Sequence, residues 1–178
     1  MNNQIGNNIK LITLIGMMGS GKTSCGSALA KKLNIDFIDI DTIIESKENL
    51  KISEIFNRFG EKYFRLIEEK IINLKINECL KQNLKAVISL GGGGFESEKT
   101  KKLLLNNTKV VWLNTDIKIL SKRVGDAFDR PMIKGNVETN IEMLLNKRIK
   151  NYQKSHLKIN TDYLSIKDLC SKIIKGIS

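Results

Sequence analysis

Short runs of branched apolar residues alternate along this chain with longer stretches whose apolar positions recur every three to four residues. The first run, Ile9 to Ile15, is closed by glycine and predicts a buried strand. Thr23 to Leu33 follows with helix-forming residues and apolar Ala28, Leu29 and Leu33. A second strand is predicted at Phe37 to Ile40, then a short helix at Ile52 to Phe59 stopped by Gly60. Glu61 to Leu80 is the longest helical stretch. Phe64, Ile67, Ile71, Leu74 and Ile76 supply its apolar face, and Glu68, Glu69 and Lys70 an exposed one. Strands at Ala86 to Leu90 and Lys109 to Leu113, each followed by a helix candidate, continue the alternation. A helix from Thr139 to Lys154, a strand from Leu157 to Asn160 and a closing helix from Ser165 to Ile177 complete it. This order predicts an α/β fold, a five-stranded parallel sheet wrapped by helices in three α/β/α layers. Gly125 to Glu138 breaks the pattern with Gly125, Pro131 and Gly135 and reads as a mobile connector, a lid at about 125–137.

No repeat, low-complexity linker or composition shift divides the chain, and 178 residues at 41% hydrophobic content suffice for one core, so residues 1–178 are expected to form a single domain. The formal charge of +11 suits a nucleic-acid binder, and equally an enzyme that attracts anionic substrates. Heavy use of Lys, Asn and Ile, which AT-rich coding also produces, weakens the nucleic-acid reading. Cys25, Cys79 and Cys170 are odd in number and widely spaced, which fits neither a disulfide framework nor a zinc site and points to a reducing compartment. Met1 to Asn8 has no basic segment leading into an apolar one, and no apolar run approaches a membrane span. A soluble cytoplasmic protein is expected.

The chemistry starts at Gly16-Met17-Met18-Gly19-Ser20-Gly21-Lys22-Thr23, a Walker A pattern placed after a predicted strand and opening a predicted helix. Its glycines let backbone N–H groups and the positive helix end close around phosphate. In that frame Lys22 reaches the β- and γ-phosphates and the Thr23 hydroxyl ligates magnesium. The loop identifies a nucleoside triphosphate and leaves the acceptor open. Asp39 and Asp41 would share one face if the second strand persisted, one serving the metal shell and the other accepting a hydroxyl proton. A pair of solvated turn acids is the alternative. Gly91, Gly92, Gly93 and Gly94 after the third strand suit a sharp turn or a close approach to a ligand. Arg65 stands three residues before Glu68, a spacing that can hold a guanidinium for a carboxylate ligand, although Arg65 alone also fits a surface position. The single His156 has no partner at metal-ligand spacing and reads as structural.

In order and spacing, GMMGSGKT (Gly16 to Thr23), FIDID (Phe37 to Asp41), FGEKYFRLIE (Phe59 to Glu68), SLGGGG (Ser89 to Gly94), RPM (Arg130 to Met132) and KRIKNY (Lys147 to Tyr152) resemble the shikimate kinase family over almost the entire chain. That family has the nucleoside-monophosphate-kinase-like P-loop fold. The resemblance implies ATP-dependent phosphorylation of the 3-hydroxyl of shikimate, with Mg2+, on the route to chorismate and aromatic amino acids, by a monomer that binds neither nucleic acid nor membrane.

By position, the resemblance places Gly19, Ser20, Gly21, Lys22, Thr23, Ser24 and Arg123 on ATP, with Arg123 against the adenine. It places Arg130 in the lid, on the transferring phosphoryl. Asp41, Arg65, Gly91, Gly92, Gly93 and Arg148 would hold shikimate in an acceptor region at about 39–80 and beyond, the arginines on its carboxylate, with Phe56 and Phe64 as an apolar wall. Lys22, Asp41 and Arg130 would be catalytic, Asp41 as general base. Thr23 would bind the metal directly and Asp39 through water, with Ser89 in the metal's second shell. Thr161, Asp162, Tyr163 and Leu164 depart from the polar adenine loop common in the family, and Gly94 from its usual alanine. A gluconate or nucleoside monophosphate kinase is the alternative enzyme, and a nucleotide switch or nucleic-acid-binding ATPase the alternative outside that class.

Overall fold

Five parallel strands form the sheet, and the alternation of their side chains explains how it is buried on both sides. The computed structural model describes residues 10–125 and 137–177. In chain order the elements are β1 (Leu11–Ile15), α1 (Lys22–Leu33), β2 (Asp36–Asp39), α2 (Ile40–Glu48), α3 (Ile52–Lys81), β3 (Ala86–Ser89), α4 (Glu98–Asn107), β4 (Lys109–Asn114), α5 (Ile117–Gly125), α6 (Val137–Tyr152), β5 (Leu157–Asn160) and α7 (Ile166–Ile177). The strand order is β2-β3-β1-β4-β5, with every neighbouring pair parallel. Leu11, Ile15, Ile88 and Trp112 face one core with Ile71 of α3 and Tyr152 of α6. Ile12, Leu14, Val87, Val111 and Leu113 face the other, against Leu29 of α1 and Ile173 of α7. Successive residues thus serve opposite layers, as the two-residue strand period requires. Each fully buried Ile or Leu stabilises the fold by about 1.5–3 kcal/mol relative to exposure.

β1 lies between β3 and β4, so the loop leaving its carboxyl end opens at the point where the strand order reverses. In open parallel sheets that is where ligands bind. The expected strands and helices form within a few residues of their predicted ends, and α3 breaks at Gly60 (φ 80°, ψ 170°), where the pattern placed the stop.

Three expectations are corrected. The second strand ends at Asp39, not Ile40, because the Asp39 carboxylate accepts from the backbone N–H groups of Asp41 and Thr42 and caps a new helix, α2. Asp39 and Asp41 therefore do not share a strand face. Leu74 is 48% exposed, whereas Glu68, assigned to the exposed face, is only 2% exposed. The buried stripe of α3 runs through Phe64, Glu68, Ile71, Ile72, Ile76 and Cys79. Most of the connector at about 125–137, with Arg130, lies outside the described residues. Among the described residues no helix is long and apolar enough to cross a membrane. All three cysteines are free and buried.

Candidate active site

The Gly16 to Thr23 loop links β1 to α1 as its sequence predicts. Gly19 and Gly21 adopt φ of 77° and 87°, the left-handed region that lets the loop fold back on itself. Lys22 is 9% exposed, and its ammonium donates to the carbonyl oxygens of Gly16 and Met17 at 3.0 and 2.9 Å. The cation is held inside the loop that its charge serves.

Next to it the Thr23 hydroxyl donates to Asp39 Oδ2 at 2.8 Å. Ser89 is buried and stands beside Asp39 in the β2–β3 register. These are hard oxygen donors, the chemistry that suits Mg2+, and the described residues include no cluster of three or more His, Cys, Asp or Glu. The loop lines a cleft of about 440 Å³ together with Asp41, Ser89, Gly92, Arg123, Thr161 and Leu164. Ser20 and Ser24 line it as well. Arg123 donates to the Gly19 carbonyl at 3.1 Å, so α5 closes against the phosphate loop.

A second cluster adjoins this cleft through Asp41 and Gly92. Arg65 Nη1 donates to Glu68 Oε2 at 2.5 Å, and its Nε to Glu61 at 3.3 Å, one helical turn to either side. Burial works against the Arg65 charge, but Glu68 and Glu61 outweigh it and hold the guanidinium above its ordinary pKa. Burial pushes the Glu68 carboxyl above the usual carboxylate range, Arg65 opposes that rise, and Asp41 adds to it. Glu68 Oε1 is buried without a hydrogen-bond partner.

The glycine run follows from these neighbours. A Cβ on Gly91 would sit 2.6 Å from Glu68 Oε1 and 2.7 Å from Asp41 Oδ1. One on Gly93 would sit 2.5 Å from the Arg65 guanidinium. A side chain there would displace the charged groups, so glycine leaves them their places beside the loop. Arg148 of α6, 5% exposed, comes to the same loop, with its Nη1 3.1 Å from where a Gly92 Cβ would stand. Asp41, Arg65, Glu68, the glycine run and Arg148 thus converge from α2, α3, the β3 exit and α6.

A sequence model of the shikimate kinase family matches residues 18–178. The chain belongs to that family. It is 38% identical over 168 residues to the shikimate kinase of Thermodesulfovibrio yellowstonii, covering 94% of each chain. With the shikimate kinase of a Sulfurihydrogenibium species it shares 37% identity over 169 residues, 95% of this chain and 98% of the relative. The solved structure of shikimate kinase from Acinetobacter baumannii in complex with shikimate is similar at a TM-score of 0.88 and 32% identity, over 96% of this chain and 93% of that one. Shikimate kinase from Aquifex aeolicus is similar at a TM-score of 0.80 and 29% identity, over 94% and 95%.

Among the residues expected in a shikimate kinase site, Phe56 and Phe64 pack at a tilt with ring centroids 4.7 Å apart, and the Arg65 guanidinium lies 5.1 Å from the Phe64 centroid. The buried Phe64 braces that arginine. Two members of the cluster escaped sequence reasoning as site residues. Glu68 was legible as a partner for Arg65, but it was assigned to the exposed face, and only the structure places it on the buried stripe with Phe64 and Ile71. Tyr152 donates from its hydroxyl to the Gly92 carbonyl, and it stands four positions after Arg148, on the same helix face. His156 lies outside the cleft, accepting at Nδ1 from the Val110 N–H at 3.0 Å.

Proposed function

We propose that this chain transfers the γ-phosphoryl group of ATP to the 3-hydroxyl of shikimate, giving shikimate 3-phosphate and ADP on the route to chorismate and the aromatic amino acids. The observation that carries the reading is the junction itself, where Asp41 and Gly92 belong both to the phosphate-loop cleft and to the cluster that holds Arg65 and Arg148. A carboxylated triol seated there presents its acid to the half-buried Arg65 and the buried Arg148, and a hydroxyl to Asp41 and the phosphate loop.

The geometry supports the following roles. Backbone N–H groups of Gly19, Ser20 and Gly21 and the α1 N-terminus receive the phosphates, and Lys22 exchanges its two carbonyl partners for phosphate oxygens. Ser24 and Arg123 border the same nucleotide. Thr23 would hold Mg2+ directly and Asp39 through water, with Ser89 behind them. When bound, the ion neutralises charge on the β- and γ-phosphates. Asp41 accepts the proton of the attacking hydroxyl. Arg65 and Arg148 hold the carboxylate, Gly91, Gly92 and Gly93 leave room for the ring, and Phe56 and Phe64 back the arginine. The same reading makes the enzyme a cytoplasmic monomer that uses neither nucleic acid nor membrane, and three free, buried cysteines fit a reducing compartment.

A coupled ADP-release assay across shikimate, quinate, gluconate and nucleoside monophosphates tests the substrate. ADP release should depend on shikimate, and release indifferent to it would sink the assignment. Arg65→Ala should weaken acceptor binding by on the order of 2 kcal/mol, roughly 30-fold in KM for shikimate, since it removes a charge-assisted bidentate partner. The KM for ATP should hold. An unchanged KM for shikimate in that variant would remove Arg65 from the site.

A further inference from the structure

Tyr152 is wholly buried at 0% exposure, yet its hydroxyl reaches the acceptor cluster at the glycine run. It donates to the Gly92 carbonyl, and it lies 3.8 Å from the Met17 sulfur, which Arg148 Nη1 also approaches at 3.8 Å. Arg148 is poorly aimed, because that sulfur is a soft and weak acceptor. Burial pushes the Tyr152 phenol well above its ordinary pKa, so the hydroxyl stays protonated and remains a donor at any working pH. The ring is fixed as well, packed at a tilt against Trp112 of β4 with centroids 5.6 Å apart.

The neighbouring residue ties the same helix turn from the other side. Asn151 donates to Glu96 Oε2 at 3.0 Å and accepts from Lys101 Nζ at 2.6 Å. Lys101 is itself only 2% exposed. The last turn of α6 is therefore fastened both to the glycine run and to the segment and helix that follow it.

We propose that Tyr152 is a positioning residue that sets acceptor specificity: tied to the Gly92 carbonyl beside the sulfur that Arg148 approaches, it holds the guanidinium at the separation from the glycine run that an acceptor carboxylate fills. The inference rests on the shikimate kinase reading. A phenol has two stiff torsions, so this aim costs little entropy on binding, unlike that of a free arginine.

Tyr152→Phe keeps the ring and its packing and deletes only the hydroxyl. In the full chain it should raise KM for shikimate about tenfold, the scale of one lost charge-assisted hydrogen bond. Its kcat should fall less than about threefold, and its KM for ATP should not move. As a competitor against shikimate, shikimate methyl ester, which lacks the anionic acid, should inhibit wild type and variant with the same constant. Wild type without shikimate-dependent ADP release would overturn the functional reading itself. An active wild type alongside a variant of unchanged shikimate KM, or one that loses acid and ester equally, would overturn the positioning role. Should Tyr152→Phe fail to fold, Asn151→Ala loosens the same turn from outside the cluster. It should raise shikimate KM alone, and no rise would count against the proposal.

Discussion

Lys22→Ala is expected to lower kcat for shikimate-dependent ADP release by about 10²–10³-fold, the scale seen when one preorganised charge or donor is removed from a transition state. Lys22 Nζ sits within the phosphate loop on the carbonyls of Gly16 and Met17, in a residue only 9% exposed. There the ammonium is largely stripped of water, so its attraction for phosphate is much stronger than at a surface. Charge gathers on the β–γ bridge and the transferring oxygens as the bond to the leaving group lengthens. The loss should therefore appear in kcat more than in the KM for shikimate. Steady-state kinetics with both substrates varied checks this, with a thermal melt to establish that the loop still folds without its internal cation. Full turnover in the variant would remove Lys22 from the chemistry.

Asp41→Asn should cost about 10²–10⁴-fold in kcat, the range for a positioned general base. The substitution is well isolated. Asp41 contributes its backbone N–H to the Asp39 cap at 3.1 Å, and asparagine keeps that bond, so α2 should begin where it does now. The carboxamide also matches the carboxylate in size, which spares the space above Gly91, where a Cβ would meet Oδ1 at 2.7 Å. What disappears is the ability to take a proton and one negative charge beside Glu68. The KM for ATP should stay within about twofold of wild type while turnover collapses. A variant with near-normal kcat would assign the proton to another acceptor and leave Asp41 as a binding group.

The two variants probe parts of the site that differed in legibility. Lys22 was readable because a phosphate loop is local: eight consecutive residues, bounded by a strand and a helix, define the geometry between them. Asp41 was identified correctly as lying beside the loop, but on a strand face it does not occupy. A strand reading of Phe37 to Ile40 overlooked that an aspartate can end a strand by capping a helix. The Arg65–Glu68 pair was readable from spacing, whereas the burial of Glu68 was not. A glutamate among apolar positions ordinarily marks the wet side of a helix. Here Arg65 pairs with it from its own helix at 2.5 Å and offsets part of the burial penalty.

The residues taken alone determined the three-layer α/β order, the phosphate loop and the glycine run, because each depends on side-chain periodicity or on backbone freedom within a short segment. The family resemblance named most of the acceptor residues, but only the tertiary structure brought Glu68 and Tyr152 among them and showed how they meet. Arg65, Glu68, Gly93, Arg148 and Tyr152 lie on segments separated by whole elements. They meet because each parallel crossover returns the chain to the same edge of the sheet. Which side chains then face one another across that edge depends on the rotation of α3 and α6 about their axes. That rotation is set by packing against the sheet, through Ile71, Ile76, Ile141 and Tyr152 itself, and by no local spacing.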